Sequence, residues 1–415
     1  MIPQQRSLAQ RRLRFGGWLC VSVMALVGIY YFSHTGRQYW MNSLSVDTLK
    51  QEGARNPKDG ELNFMLAHRL NQEGRLEEAF AVIQQLTREY PENAQYWLGM
   101  ARCATDLARP VETVQAYRKA LALNPGIAEA HMSLGQIYGE AGLVTDALEH
   151  FEQGNKLAPN ADVNQEVWLR CLIAKKRYQE AWDKAVSLVK QNPRMAEIYE
   201  FVYTAGVPLG KSAEAEEVLY SGIGVVGSYH GSALKSGLAR LLIAKQQDAK
   251  TLGTAAMLAD EAARGQGARA DDYAALGQVF SLENDLKGAR SAAENGLKMD
   301  ANDPACLKTL AEVAQRQGKK EEQTRLLARL SQRLEGGPEV VTQRKAVSAV
   351  PNDPKAHLAL AAALEKEADY GAAAEECHEA LKLAKDDATA KQQLEECRLK
   401  ALEKLAKESA AKNVR

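Results

Sequence analysis

The chain is predicted to be an all-α solenoid of about eight stacked helix pairs, preceded by one transmembrane helix and closed by a capping helix. Three observations carry this. Pro57, Pro91, Pro125, Pro159 and Pro193 recur at a spacing of 34 residues, the period of a helix–turn–helix unit that ends at a proline. Between those prolines, Ala, Leu and aromatic residues recur at fixed places. An uncharged run precedes the ladder, and a helix covered with Lys and Glu closes the chain. The chain has 415 residues, enough for two or three globular domains. Stacked units contact only their neighbours and escape that bound.

Residues 1–14 form a basic N-terminus with Arg6, Arg11, Arg12 and Arg14. The transmembrane helix is expected at 15–33. Phe15 to Phe32 is 18 residues without a charge, and as a helix it rises ~27 Å, about the thickness of a hydrocarbon core. Trp18 at one end and Tyr30 and Tyr31 at the other suit the two interfaces. A cleaved signal peptide fits less well, because Tyr30-Tyr31-Phe32 stands where small residues are needed. Four arginines before the span and only Arg37 soon after it predict a cytoplasmic N-terminus. The array would then be extracytoplasmic, periplasmic in a bacterium. Residues 34–46 are the linker.

The regular array is expected over 47–227. Its clearest unit, Ala128 to Ala161, carries Leu134, Gly135 and Tyr138 in a first helix and Gly142 at the turn. Ala147 and Phe151 come next in a second helix before Pro159. This pattern resembles the tetratricopeptide repeat (TPR), which implies a right-handed superhelix. Ala67, Leu70, Ala79 and Pro91 mark one neighbouring unit, and Trp97, Ala101, Tyr117, Ala120 and Pro125 the next. Trp168, Leu172, Ala181, Leu188 and Pro193 mark a fourth, and Tyr199, Val202, Ala215 and Leu219 a fifth.

From 228 to 386 the array is degenerate. Leu238, Leu241 and Leu242 are expected to face Leu252, Met257 and Leu258 in one irregular pair. Leu276, Gly277, Phe280, Ala289 and Gly296 restore a good unit, Leu310 and Ala311 begin another, and Leu360, Ala361, Leu364 and Ala373 mark the last. Glu339 to Val350, between two prolines, reads as a lone helix. Residues 387–415 are a capping helix and tail. The helix, at about 388–407, has Leu394, Cys397, Ala401, Leu402 and Leu405 on one face. That face either covers the last unit or mediates self-association.

Charge and motifs exclude several function classes. Five of the 53 basic residues precede Asp47, so the remainder carries 48 basic against 53 acidic side chains. No nucleic-acid partner is expected from that balance. The six cysteines lack CxxC spacing, so neither a metal site nor a disulfide framework is read, and Cys377 with Cys397 is the only conceivable bridge. Ala205 to Ser212 matches a loose phosphate-loop pattern but falls where other units place their turn. Gly222, Gly224 and Gly227 match GxGxxG without a preceding strand, and are expected to end a helix and loosen the stack over 220–232. No catalytic residue, cofactor or metal is expected.

The resemblance implies a partner-binding groove lined by first helices. Carried over by position, its residues are Glu61, Phe64 and His68, then Gln95, Leu98 and Arg102, then Glu129, Met132 and Gln136, then Val163, Glu166 and Arg170. Phe64, Leu98 and Met132 recur at one repeat position. They form either an exposed apolar strip or a packing position against the adjacent unit. The carboxylate clamp of some family members, with Lys and Asn in the first unit, is replaced by Phe64 and His68. The expected function is a membrane-anchored adaptor binding a protein or peptide in this groove, in envelope or secretion assembly. The alternatives are a cytosol-facing organelle docking receptor, an oligomerising spacer, or an enzyme with an unrecognised site.

Overall fold

A computed structural model describes residues 34–159, 165–226, 231–245, 249–265 and 267–413. Among them are 22 helices and no strand. In chain order these are α1 (His34–Ser43), α2 (Val46–Arg55), α3 (Gly60–Gln72), α4 (Leu76–Glu89), α5 (Ala94–Asp106), α6 (Pro110–Leu123), α7 (Ala128–Glu140) and α8 (Val144–Leu157). They continue as α9 (Gln165–Ala174), α10 (Tyr178–Gln191), α11 (Ile198–Gly206), α12 (Ser212–Val226), α13 (Ser232–Lys245), α14 (Ala249–Arg264) and α15 (Ala270–Leu282). The last are α16 (Leu286–Met299), α17 (Pro304–Arg316), α18 (Lys320–Glu335), α19 (Pro338–Ala349), α20 (Pro354–Lys366), α21 (Tyr370–Leu383) and α22 (Ala388–Asn413). The chain divides into two compact units, residues 1–130 and 131–415.

The prolines of the ladder do more than stop helices. Helices α2, α4 and α10 end two residues before Pro57, Pro91 and Pro193, with Asn56, Tyr90 and Asn192 as C-caps, and each of these prolines occupies the second position of a tight turn. Asp59 N donates to Asn56 O, Asn93 N to Tyr90 O, and Met195 N to Asn192 O, at 2.9–3.2 Å. Two residues after the proline, Asp59 and Asn93 cap the next first helix by accepting from Leu62 N and Gln95 N. Six residues after it, a side chain donates to the proline's own carbonyl. Asn63 reaches Pro57 O at 3.1 Å, Trp97 reaches Pro91 O at 2.7 Å, and Tyr199 reaches Pro193 O at 3.0 Å. His357 repeats the contact with Pro351 O at 3.0 Å. A proline carbonyl can still accept although its nitrogen cannot donate, and the linker is fixed through it.

Inside each pair, the first helix ends in a Schellman-type turn. Arg75 N donates to Leu70 O, Leu143 N to Tyr138 O, Lys211 N to Gly206 O and Lys319 N to Ala314 O, at 2.8–2.9 Å. The turn needs a positive φ, which Gly74, Gly142, Gly210 and Gly318 supply. Ala108, Lys176, Asn284 and Ala368 hold the same place at φ 53–61°. Ala108→Gly and Lys176→Gly should therefore each raise stability by ~0.5–1 kcal/mol, the left-handed strain outweighing the added freedom of the unfolded chain. Urea unfolding followed by circular dichroism measures this. The loose phosphate-loop match is one of these turns: it joins α11 to α12, with Gly210 at φ 71°.

Packing within a pair depends on small residues facing large ones. At Gly135 on α7, a Cβ would lie 2.8 Å from the ring of Phe151 on α8. Phe151 is fully buried and stacks on Trp168 of α9 at 5.2 Å between centroids and 7° between planes. In the second unit, α9, α11 and α13 each contact the next first helix, as α15 contacts α17, whereas second helices mainly contact their own partner and the first helix of the next pair. First helices thus lie on the inner arc. His131 and His357, at equivalent positions, each bond a side chain 19 residues on. His131 Nδ1 lies 3.0 Å from His150 Nδ1, and His357 Nδ1 lies 2.7 Å from Glu376 Oε2.

Several expectations need correction. No helix among the described residues is long and apolar enough to cross a membrane. This overturns the expected single-pass membrane localisation, and the expected span at 15–33 lies outside the described residues. Gly222 and Gly224 do not end a helix, since α12 continues to Val226. Gly222 instead packs against Tyr199 and Leu234 where no side chain would fit, and Gly227 lies outside the described residues. Met257 is exposed rather than facing Leu238. The last helix runs past 407 to Asn413, and Leu394, Cys397, Ala401 and Leu402 are buried as a cap requires. The described cysteines, Cys377 and Cys397 included, are free and buried.

Candidate protein-interaction surface

Neighbouring first helices of the first unit present a mixed face built from α3, α5 and the start of α7. Their caps fix which side turns outward. Asp59 sets the start of α3, so Leu62, Leu66 and Leu70 face the core while Glu61 and His68 are exposed. Asn93 sets α5 in the same way, burying Tyr96 and Ala101 and leaving Gln95 and Arg102 exposed.

Arg102 spans to Glu129 on α7 as a bidentate pair, with Nε 2.6 Å from Oε1 and the second nitrogen on Oε2. The Glu129 hydrogen bond raises the guanidinium pKa more than burial depresses it, so the net shift is upward. Both side chains keep more than two-fifths of their surface in water, so the pair adds little stability. It can exchange partners at low cost. Glu61 lies 3.5 Å from Arg37 of α1.

The apolar strip is not an open strip. Leu98 is 5% exposed and Met132 is 6% exposed. Met132 fills the space above Gly154, where a Cβ would meet its sulfur at 2.8 Å. Phe64 is half-buried on Tyr96, with centroids 5.3 Å apart, and covers Gly99. Of the two readings of the recurrence of Phe64, Leu98 and Met132, the packing register is therefore the one that the burial of Leu98 and Met132 fits. In the second unit, Gln136 bonds Glu140 at 3.0 Å and Arg170 bonds Glu166 at 3.0 Å, each within its own helix. Val163 lies outside the described residues.

Two features of the first unit went unnoticed in the sequence. Tyr39 and Trp40 on α1 are 66% and 39% exposed, and adjacent exposed aromatics in a polar helix are the available signal. A cleft of about 400 Å³ lies between α2 and α4 over α3, lined in part by Ala54, Leu66, Leu70, Val82 and Gln85. It opens on the side of α3 opposite Glu61 and His68. Among the described residues, no group of three or more His, Cys, Asp or Glu could hold a metal ion.

A stack of helix pairs with a charged, exposed face on its first helices defines a helical-repeat interaction module. Family models described as tetratricopeptide repeat match residues 60–103 and 112–162, which supports a tetratricopeptide-repeat protein. Solved structures share the likeness at low identity. The Cut9–Hcn1 hetero-tetramer of the APC/C matches with 12% identity over 94% of this chain and 94% of that one, at a TM-score of 0.39. The Naa15/Naa10 structure bound to HypK-THB has 16% identity over 91% of this chain and 66% of that one, at 0.33. A tetratricopeptide repeat protein from Parabacteroides merdae has 16% identity over 62% and 98%, at 0.36. None of these likenesses bears on what the chain binds.

Proposed function

We propose that the chain is an interaction scaffold, not an enzyme, and that it takes a partner polypeptide on the first-helix face of its first unit. The observation that carries this is the exposed Arg102–Glu129 pair, set among His68, Gln95 and Glu61 beside half-buried Phe64. A polar rim of re-pairable charges around a partly buried aromatic is the usual anatomy of a transient protein interface. Tetratricopeptide repeats at 60–103 and 112–162 lie on the same helices and support the reading.

Photo-crosslinking amino acids placed singly at His68, Gln95 and Gln85 test it in cells making the full chain. Gln85 lines the cleft on the opposite side of the first unit. Partner adducts are expected at positions 68 and 95, with at least a tenfold loss when Arg102→Glu is added. Adducts confined to position 85 would transfer the function to the cleft and sink the first-helix proposal.

A further inference from the structure

The stepwise packing of the second unit breaks at one place. From α13 to α18 each helix packs on the next, but α19 packs on α20 and makes no comparable contact with α18. Gly336 and Gly337 bridge the gap. Gly336 has φ 87° and ψ −177°, a conformation essentially closed to other residues. Gly337 N donates to Glu367 Oε1 at 2.7 Å, so the second glycine belongs to the downstream helices and the first is the pivot. Beyond it, α19–α22 have a core of their own, with Val340, Leu360, Leu364, Ala373, Cys377, Leu394, Cys397 and Leu402 all buried.

This module docks back on the start of the same unit through polar groups. Arg398 of α22 forms a bidentate pair with Asp146 of α8, and Asp146 is only 3% exposed. His378 Nε2 of α21 lies 3.2 Å from the same carboxylate. Leu143 provides no side-chain cap for α8. Glu375 of α21 supplies one, accepting from Thr145 N at 2.9 Å and Thr145 Oγ1 at 2.7 Å, and it pairs with Lys175 after α9. At the centre the backbones nearly touch: a Cβ on Gly371 would lie 2.6 Å from Gly142 O.

We infer that residues 338–413 are a hinged clasp, pivoting at Gly336 and held shut by the Asp146–Arg398 and Glu375–Thr145–Lys175 contacts. A separately cored module, a glycine pivot and a charged seam are the parts of a two-state closure. Shut, the clasp sets α21 against α8, so that the second unit closes on itself with its packing interrupted only at the Gly336 pivot. Open, it exposes the turn at 142 and the start of α8. Covalent chemistry plays no part.

Hydrogen–deuterium exchange of the full chain, read by mass spectrometry, tests this with Gly371→Leu, Asp146→Arg and the reversed pair Asp146→Arg/Arg398→Asp. Gly371→Leu keeps every charge and improves local helix propensity, but it cannot fit against Gly142. Both single variants are expected to exchange ~10–100-fold faster over Thr145–Leu148, as for losing charge-assisted bonds. Leu360–Leu364 and Ala373–Cys377 should keep wild-type protection, and the reversed pair should restore that at Thr145–Leu148. Loss of protection over 360–377 together with 145–148 would show that the module is not a separate body. Unchanged protection over 145–148 in both single variants would show that no latch exists. Either result overturns the inference.

Discussion

Truncating Phe151 to alanine is expected to destabilise the second unit by ~3–5 kcal/mol, the range for a fully buried aromatic whose site cannot collapse. Collapse is blocked on both sides. Gly135 has no side chain to move inward, and Trp168 is already stacked at 5.2 Å on the opposite face of the ring. Lys184 Nζ lies 3.6 Å from the centre of the Trp168 ring, and burial lowers its pKa to about 8. Losing the stack should therefore change the Trp168 environment as well as the midpoint. Urea titration followed by tryptophan fluorescence and by circular dichroism measures both. The loss should be local, because neighbouring units contribute separately to a stacked array. Phe64→Ala, at a half-buried site, should cost clearly less, and an equal cost would refute the packing argument.

Arg398→Ala should be comparably severe for the docked state, at ~3–5 kcal/mol, because it leaves Asp146 buried without its main cation. Burial pushes the Asp146 carboxyl up, but the imidazole of His378 and the guanidinium of Arg398 together outweigh it. Its pKa falls from 3.8 to about 2. A depressed carboxyl contributes stability that is fully present above the unfolded value and is lost as pH falls through the folded one. The wild-type contact between α8 and α22 should thus hold at neutral pH and weaken between about pH 4 and pH 2. The groups facing Asp146 are His378 from α21 and Arg398 from α22, and Arg398 also bonds Glu395 at 2.5 Å. Exchange over Thr145–Leu148, followed as pH is lowered, gives the midpoint. In Arg398→Ala the release should come at higher pH, and an unshifted midpoint would refute the pairing.

Much of the helix order was legible because its signals are local. A proline every 34 residues and a glycine at the turn between paired helices, as at Gly142, are each read within one turn of chain. The same signals left the side chain six residues after each proline unread. Asn63, Trp97, Tyr199 and His357 share no residue type, only the ability to donate. Of the first-helix face, the repeat register alone was legible. Periodicity found the position of Phe64, Leu98 and Met132 but could not tell an outward strip from a packing register, since both repeat identically. What decided it was the residue opposite, Gly99 or Gly154, a fact about the neighbouring helix. The clasp was invisible for a different reason. Arg398 and Asp146 lie 252 residues apart, and nothing local marks Glu375 as the cap of a helix so far upstream.

The inner arc of first helices and the sparsely joined second helices also imply a mechanical character. Adjacent second helices of the second unit touch mainly through side-chain bonds such as Arg177–Glu152 at 2.5 Å and Arg290–Glu322 at 2.6 Å. Spreading that outer edge separates part-buried ion pairs and exposes little apolar surface, so bending should be softer there than along the inner arc. Under tension between its two ends, the second unit would first lose the charged seam at α8. It would then lengthen elastically while the inner arc stayed packed. Such a body yields in two stages, an abrupt release and then a compliant stretch, and recoils when the load is removed.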